Sequence, residues 1–345
     1  MAGKGLKPYV YVLFVAGTLA TIILCTAIGS VYIPLPQTVQ SIGNALANWI
    51  TGTPSSGSSV ADIVPNVRLP RVLCAGLVGA ALSLSGCALQ GLLKNPLADG
   101  STLGVSAGAS LGAVIAIAFG LTIPHLLLAG TTIMASGFAL LSLVTILLLA
   151  YRLDYSLSTN TIILVGVIFA MFVSALISIF IVFAGQQATH IIFWTMGSLQ
   201  GRGYQYVLIL LIVLAVFGTI LLSLRRELNA FAIGEDNARH IGVNVNRVKM
   251  LVLVCTAALI GTSVSVGGTI AFVGLVTPHI VRRITGPNHN RLMPATLFIG
   301  AIFLMVSDLI ARTVLSPKEL PIGVITSLVG AVVFVRIFFV TRKVR

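Results

Sequence analysis

Residues 160–184 read NTIILVGVIFAMFVSALISIFIVFA, twenty-five positions without one charged side chain. A helix needs about 20 apolar residues to cross the hydrocarbon layer of a membrane. In lipid every backbone polar group must find its partner within the protein, which a helix achieves on its own. The stretch therefore predicts a membrane-spanning helix. Working outward, apolar runs of comparable character recur at 9–33, 67–93, 103–120, 125–150, 204–224, 247–266, 270–284, 292–311 and 322–341. The expected fold is all-α and integral to the membrane, with ten transmembrane helices in one polytopic domain over 1–345. The 270–284 run is the shortest, contains Pro278 and ends in Arg282 and Arg283, which suggests a broken or partly re-entrant helix.

Composition agrees. Of 345 residues, 57% are hydrophobic and 8% charged, against about 25% charged in soluble domains. No polar block is large enough for a second, soluble domain. The net charge of +13 does not point to nucleic acid, because the basic residues lie in short loops between apolar runs. That distribution orients a membrane protein. With an inner N-terminus and alternating spans, sixteen of the 21 lysines and arginines fall inside. Only Arg68, Arg71, Arg202, Arg312 and Lys318 fall outside. Both termini are expected in the cytoplasm. The first run follows Lys4 and Lys7, is too long for a signal-peptide core and is read as a retained helix.

The longest outer connection, Pro34 to Pro65, carries a Gly/Ser/Pro-rich stretch from Thr51 to Ser59 that reads as a flexible tip. The longest inner connection runs from Arg225 to Arg247. Within it, Ala232 to Gly242 is too polar to span, yet its Ala and Ile spacing suits a short amphipathic helix closed by Gly242. Gly104, Gly108 and Gly112 recur every fourth residue, so one helix face is smooth enough for close approach of a neighbour. Gly76, Gly79 and Ala80 make a similar face on the second span.

The chemistry on offer is sparse. Of eight acidic residues only Asp308 falls inside a span, whereas proton-driven carriers need ionisable groups along their path. No Gly-x4-Gly-Lys-Ser/Thr loop exists to cradle nucleotide phosphates. If ATP drives transport, a separate subunit must hydrolyse it. Gly104-Val105-Ser106-Ala107-Gly108 matches the Gly-x-Ser-x-Gly nucleophile elbow, but an apolar helix among packing glycines is not a strand-to-helix turn. No catalytic residue is assigned. Cys25, Cys74, Cys87 and Cys255 lie in apolar runs, and His125, His190, His240, His279 and His289 are scattered without ligand spacing, so no metal site or cofactor is expected. Arg68 and Arg71 bracket Leu69-Pro70 at the outer entrance of the second span, and Asp308 and Arg312 sit four apart at the outer end of the ninth. Interfacial snorkelling with an i, i+4 ion pair is one reading, and a basic docking surface for an acidic partner is the other.

Several long motifs resemble one family. Arg68-Leu69-Pro70-Arg71, Gly79-Ala80-Ala81-Leu82, Ser85-Gly86, Gln90 and Asn95-Pro96-Leu97-Ala98 are similar to the opening signature of the FecCD-type (BtuC-like) permeases. Gly267 to His279, Asp308 to Arg312 and Glu319 to Thr326 continue the resemblance in order to Phe339. These permeases are membrane subunits of bacterial ABC importers for ferric siderophores, haem and cobalamin. The resemblance implies an inverted repeat of helices two to five and seven to ten. It also implies two ATPase subunits, a second permease subunit (identical or paralogous), an extracytoplasmic binding protein, and a place among lipid in the plasma (inner) membrane of a bacterium.

By the same resemblance Arg68, Arg71 and Arg312 would meet acidic groups of the binding protein. Gly234, Glu235, Ala238, Arg239 and Gly242 would form the coupling helix seated in the ATPase. Thr159 and Asn160, after Leu157-Ser158, would form the cytoplasmic gate, and the fifth and tenth spans would line the path. A ferric siderophore is the first-choice cargo, then haem or cobalamin; a secondary carrier of a small solute is the competing reading. Gly100 stands where the family usually has proline. In the tenth helix the stretch Gly330-Ala331-Val332-Val333-Phe334 also lacks the usual proline, and Arg336 follows it.

Overall fold

The computed structural model describes residues 6–29, 33–51, 63–121, 130–155 and 158–342. Its helices are α1 Pro8–Ala27, α2 Leu35–Thr51, α3 Leu69–Leu93, α4 Val105–Ala118, α5 Gly130–Leu153, α6 Thr159–Phe183, α7 Ala188–Thr195 and α8 Tyr204–Val213. They continue as α9 Thr219–Ser223, α10 Arg225–Phe231, α11 Glu235–His240, α12 Val245–Gly267, α13 Val273–Thr285, α14 His289–Thr313 and α15 Ile322–Arg342. A π-helical turn at Val64–Arg68 leads into α3, and another at Leu214–Gly218 joins α8 to α9. Among the described residues seven helical stretches are long and apolar enough to cross a membrane.

Local sequence explains the starts. Ser158 caps α6 by accepting from the Thr161 N–H, and Asn244 caps α12 by accepting from the Arg247 N–H. Asn288 does the same for α14 through the Asn290 N–H, while Pro8 opens α1 at a position with no intrahelical donor to lose.

Three expectations need correction. The outer connection is not simply a loop, because residues 35–51 form α2; its apolar and polar positions fall on opposite faces, a pattern that a search for uninterrupted apolar runs passes over. Of the expected flexible tip, Thr51 ends α2 and 52–59 lie outside the described residues. The third run is shorter than a full span: α4 has 14 residues, about 21 Å at 1.5 Å per residue, against ~30 Å of hydrocarbon. Consequently Gly104 does not share a helix face with Gly108 and Gly112. It precedes α4 at φ 74°, a left-handed conformation that glycine adopts without a Cβ penalty. Gly108 and Gly112 do serve close packing, since a Cβ on either would overlap α5 at Ser142 or at the Met134 carbonyl.

The centre of the bundle is α3, α12 and α14, whose side chains are largely buried. α3 packs along α14 and against α12 and α13, while α12 packs along α5 and against α4. α4 lies on α5 and α6, as α13 lies on α14 and α15. Each contact among α3–α6 thus has a counterpart among α12–α15. The two short helices even begin alike: α13 is preceded by Phe272 at φ 67°, as α4 is by Gly104. Backbones touch where α3 meets its neighbours. A Cβ on Gly79 would strike the Gly300 carbonyl of α14, and one on Gly86 the Gly274 carbonyl of α13.

Candidate functional site

Three places gather the polar residues of an otherwise apolar molecule. The first joins the C-terminal ends of α1 and α14 to the N-terminal end of α3. Arg68, 6% exposed, donates through Nη1 to the carbonyls of Thr26 at 3.2 Å and Ala27 at 2.9 Å. Arg312, equally buried, donates through Nη2 to the Cys25 carbonyl. Both arginines therefore satisfy the last carbonyls of α1, the orphaned acceptors at its negative dipole end. Asp308, 1% exposed, lies between Arg312 and Arg71. It accepts from Arg71 Nε at 3.0 and 3.2 Å and from Arg71 Nη2 at 2.9 Å, and it pairs with Arg312 at 3.4 Å. Arg71 reaches on to Glu319 at 2.9 Å, in the connection before α15.

The three arginines expected on the outer surface thus come together, but Arg68 and Arg312 turn inward rather than forming an open basic patch. Motif spacing singled them out; it could not reveal that α1 ends beside Arg68 and Arg312, because the carbonyls they bind are 42 and 287 residues away in the chain. Glu319 was quoted only as part of a motif, yet it completes the cluster.

The second place is around α11. Gly234 at φ 116° starts α11, and Gly242 at φ 90° lies just beyond it, its N–H donating to the Arg239 carbonyl at 2.9 Å. This is the short helix that the inner loop predicted. Ala238 is fully buried beneath it, whereas Asp236, Asn237, Arg239 and His240 face outward. The flanking Ile233 and Ile241 are 59% and 63% exposed. Glu235 holds α11 to α12 through Lys249 at 2.8 Å, where Lys249 is 2% exposed. The Thr159 hydroxyl, at the start of α6, donates to the same carboxylate at 3.5 Å. Thr159 and Asn160 share with α11 and Lys94 a polar cleft of about 790 Å³, so the expected gate and coupling residues are neighbours. The Lys249–Glu235 pair could not be read from spacing, because it depends on how α11 lies against α12.

The third is a cavity of about 470 Å³ between α4, α6, α12 and the 269–271 turn. Ser106 and Ser110, one turn apart on α4, line it with Ser174 and Ser178, one turn apart on α6. Ser106 therefore lies in the first turn of a helix and faces an open space; among the described residues no His lines that space. Among the described residues no three His, Cys, Asp or Glu side chains are grouped to hold a metal.

Seven apolar helical stretches packed into one bundle, among the described residues, define the class of polytopic membrane proteins. The FecCD transport family matches residues 17–340, and the chain belongs to that family. It is 44% identical over 317 residues to the ABC transporter permease protein YvrB of Bacillus subtilis, covering 91% of this chain and 88% of that protein. It is 38% identical over 272 residues to the cobalamin import system permease protein BtuC of Halobacterium salinarum, covering 79% and 72%. A solved metal-chelate type ABC transporter in an inward-facing conformation superposes with TM-score 0.83 at 29% identity, covering 96% of this chain and 99% of that one. Further relatives at 34 to 36% identity are named for molybdate, hemin and ferric dicitrate, so cargo varies within the family. Membership makes the chain a non-catalytic, multi-pass protein of the plasma (inner) membrane that works with ATPase partners and a second permease subunit.

Proposed function

We infer that this chain is the translocating subunit of a binding-protein-dependent importer of a metal chelate, with ferric siderophore, haem and cobalamin as cargo classes. The observation that carries the reading is α11: a short inner helix, anchored from beneath by Ala238 and the Glu235–Lys249 pair, with Ile233 and Ile241 left outside. Exposed isoleucines flanking a charged helix suit a groove on an ATPase subunit. Movement of α11 would pass through Glu235 to Thr159 at the mouth of α6, where Thr159 and Asn160 act as the gate.

In this reading ten helices cross or enter the membrane, α4 and α13 as half-length members, with both termini cytoplasmic. The matched packing of α3–α6 and α12–α15 supports an inverted repeat, whose irregular entries at Gly104 and Phe272 are enclosed by protein. On the outer side, Arg71 is the edge of the arginine cluster. An acidic group of the binding protein would compete with Glu319 for it, while Arg68 and Arg312 hold α1 in register. Lipid fills the remaining faces.

Co-purification and uptake test the reading. In vesicles containing the chain, its ATPase and its binding protein, uptake should be ATP-dependent and vanadate-sensitive. Ile233→Asp together with Ile241→Asp should release the ATPase from the folded permease. Retention of a fully active ATPase by that variant would sink the assignment of α11.

A further inference from the structure

Asn229 lies on α10, the helix just before α11, and its amide bridges to α14. Its Oδ1 accepts the His289 backbone N–H at 2.8 Å and lies 3.0 Å from His289 Nδ1, while its Nδ2 donates to Asn288 Oδ1 at 3.1 Å. A backbone N–H can only donate, so the bridging atom is the amide oxygen, and Nδ1 carries the imidazole proton that it also accepts. His289 is the first residue of α14, where backbone N–H groups have no intrahelical acceptor. Asn288 accepts from the Asn290 N–H, and Asn229 accepts from that of His289 out of a different helix. The His289 ring is 5% exposed and wedged against α3, since a Cβ on Gly91 would stand 2.5 Å from its Nε2. One amide of α10 therefore meets two donors of His289 and the cap of α14.

Little slack separates this bridge from α11. The three residues between the helices fold back on α10: the Ala232 N–H donates to the Asn229 carbonyl at 3.3 Å, Ile233 to Ala230 at 3.2 Å and Gly234 to Phe231 at 3.1 Å. Leu228 and Phe231 are fully buried, and α10 packs on α3 and α14. From this junction α14 runs 25 residues, roughly 37 Å, and carries Asp308 and Arg312 toward its far end. Hydrogen-bonded contacts joined by a rigid helix can carry a displacement over such a span. We propose that Asn229 is a positioning residue that fastens the ATPase-facing segment to α14, so that α10, α11 and α14 turn as one body and the motor's state is felt at the Asp308–Arg312 cluster. Without the amide, the buried N–H and Nδ1–H of His289 lose their acceptor, and α10 slides against α14 instead of turning it. Coupling of this kind is reciprocal, so a partner docked at the arginine cluster would act back on the ATPase. The proposal adds a second route to the one through Glu235 and rests on the importer reading.

The test uses the full importer in vesicles with its ATPase and its binding protein. The affinity of the binding protein is measured without nucleotide and again after trapping with ATP and vanadate. The unaltered importer should show a ratio of about fivefold or more between the two states. Asn229→Ala and His289→Ala should each bring that ratio to within about twofold of one, with the ATPase still co-purifying. Leu143→Ala, which opens a cavity in the core beside α5, should lower the melting midpoint and keep the ratio. Spin labels read the same claim with the bridge intact, since the four native cysteines are buried. Exposed Arg226→Cys on α10 paired with exposed Arg291→Cys on α14 should hold one distance through trapping, while Arg226→Cys paired with exposed Arg152→Cys on α5 should not. A ratio near one in the unaltered importer, an unchanged ratio in Asn229→Ala or a lost ratio in Leu143→Ala overturns the proposal. So does a changing distance between α10 and α14, or a fixed one between α10 and α5. ATP-dependent, vanadate-sensitive uptake by the unaltered importer is read separately. Its presence keeps the importer reading when the proposal for Asn229 fails, and its absence sinks the importer reading itself.

Discussion

Asp308→Asn is the sharpest probe of the outer cluster. Asp308 is 1% exposed and pairs with both Arg71 and Arg312. Asparagine keeps the shape and one acceptor oxygen but removes the charge, leaving two guanidinium groups in a buried site without their shared carboxylate. Removing one member of a buried ion pair costs about 3 kcal/mol at the lower end of observed values. Unfolding entropy of about 2.1 cal/mol/K per residue over 345 residues gives roughly 0.7 kcal/mol/K, so the melting midpoint should fall by about 4 °C. The comparison is Glu319→Gln, which touches the same Arg71 from a side chain 34% exposed. Water screens that pair to about 0.5 kcal/mol, a shift below about 1 °C. Thermal unfolding followed by size-exclusion in detergent measures both variants under identical conditions. Equal shifts, or a larger one for Glu319→Gln, would refute the claim that Asp308 is the buried keystone of the arginine cluster.

Other substitutions test the remaining links. Gly79→Leu should abolish monodisperse folded protein, since the side chain would enter the Gly300 backbone of α14, whereas Gly137→Leu, with nothing within 4 Å of its Cβ, should purify normally. Gln90→Leu removes donors to the Gly274 and Leu275 carbonyls and the acceptor of Arg282. It should lower stability by about 1–3 kcal/mol in the same melting assay. Gly242→Ala forces a side chain into φ 90°, which costs about 1–2 kcal/mol. It should weaken ATPase co-purification while the α3–α14 core melts unchanged.

The inner loop and the glycines show how far sequence reading reached. The helix at α11 was legible because polarity excluded a span and Gly242 supplied a stop, both local signals. The packing of Gly108 and Gly112 was legible from their spacing, but Gly104 was misplaced, since helix periodicity continues through it and only the turn geometry reveals a left-handed entry. α2 and α7 were missed because one is amphipathic and the other is eight residues long, and neither resembles an uninterrupted apolar span. Arg68, Arg71 and Arg312 lie near one another in the fold, yet their neighbours could not be read from spacing. Charges in a low-dielectric setting are drawn to whatever partner the fold brings near.

By itself the sequence determined the solvent of this protein, its helical class and the approximate limits of its long helices. Those follow from hydrophobicity and backbone hydrogen bonding, which act over twenty residues or fewer. Only the tertiary structure decided that two arginines finish α1, that Lys249 and Thr159 meet on Glu235, and that serines from α4 and α6 share a cavity. These meetings join residues from 14 to 287 positions apart, and they are set by how the helices pack.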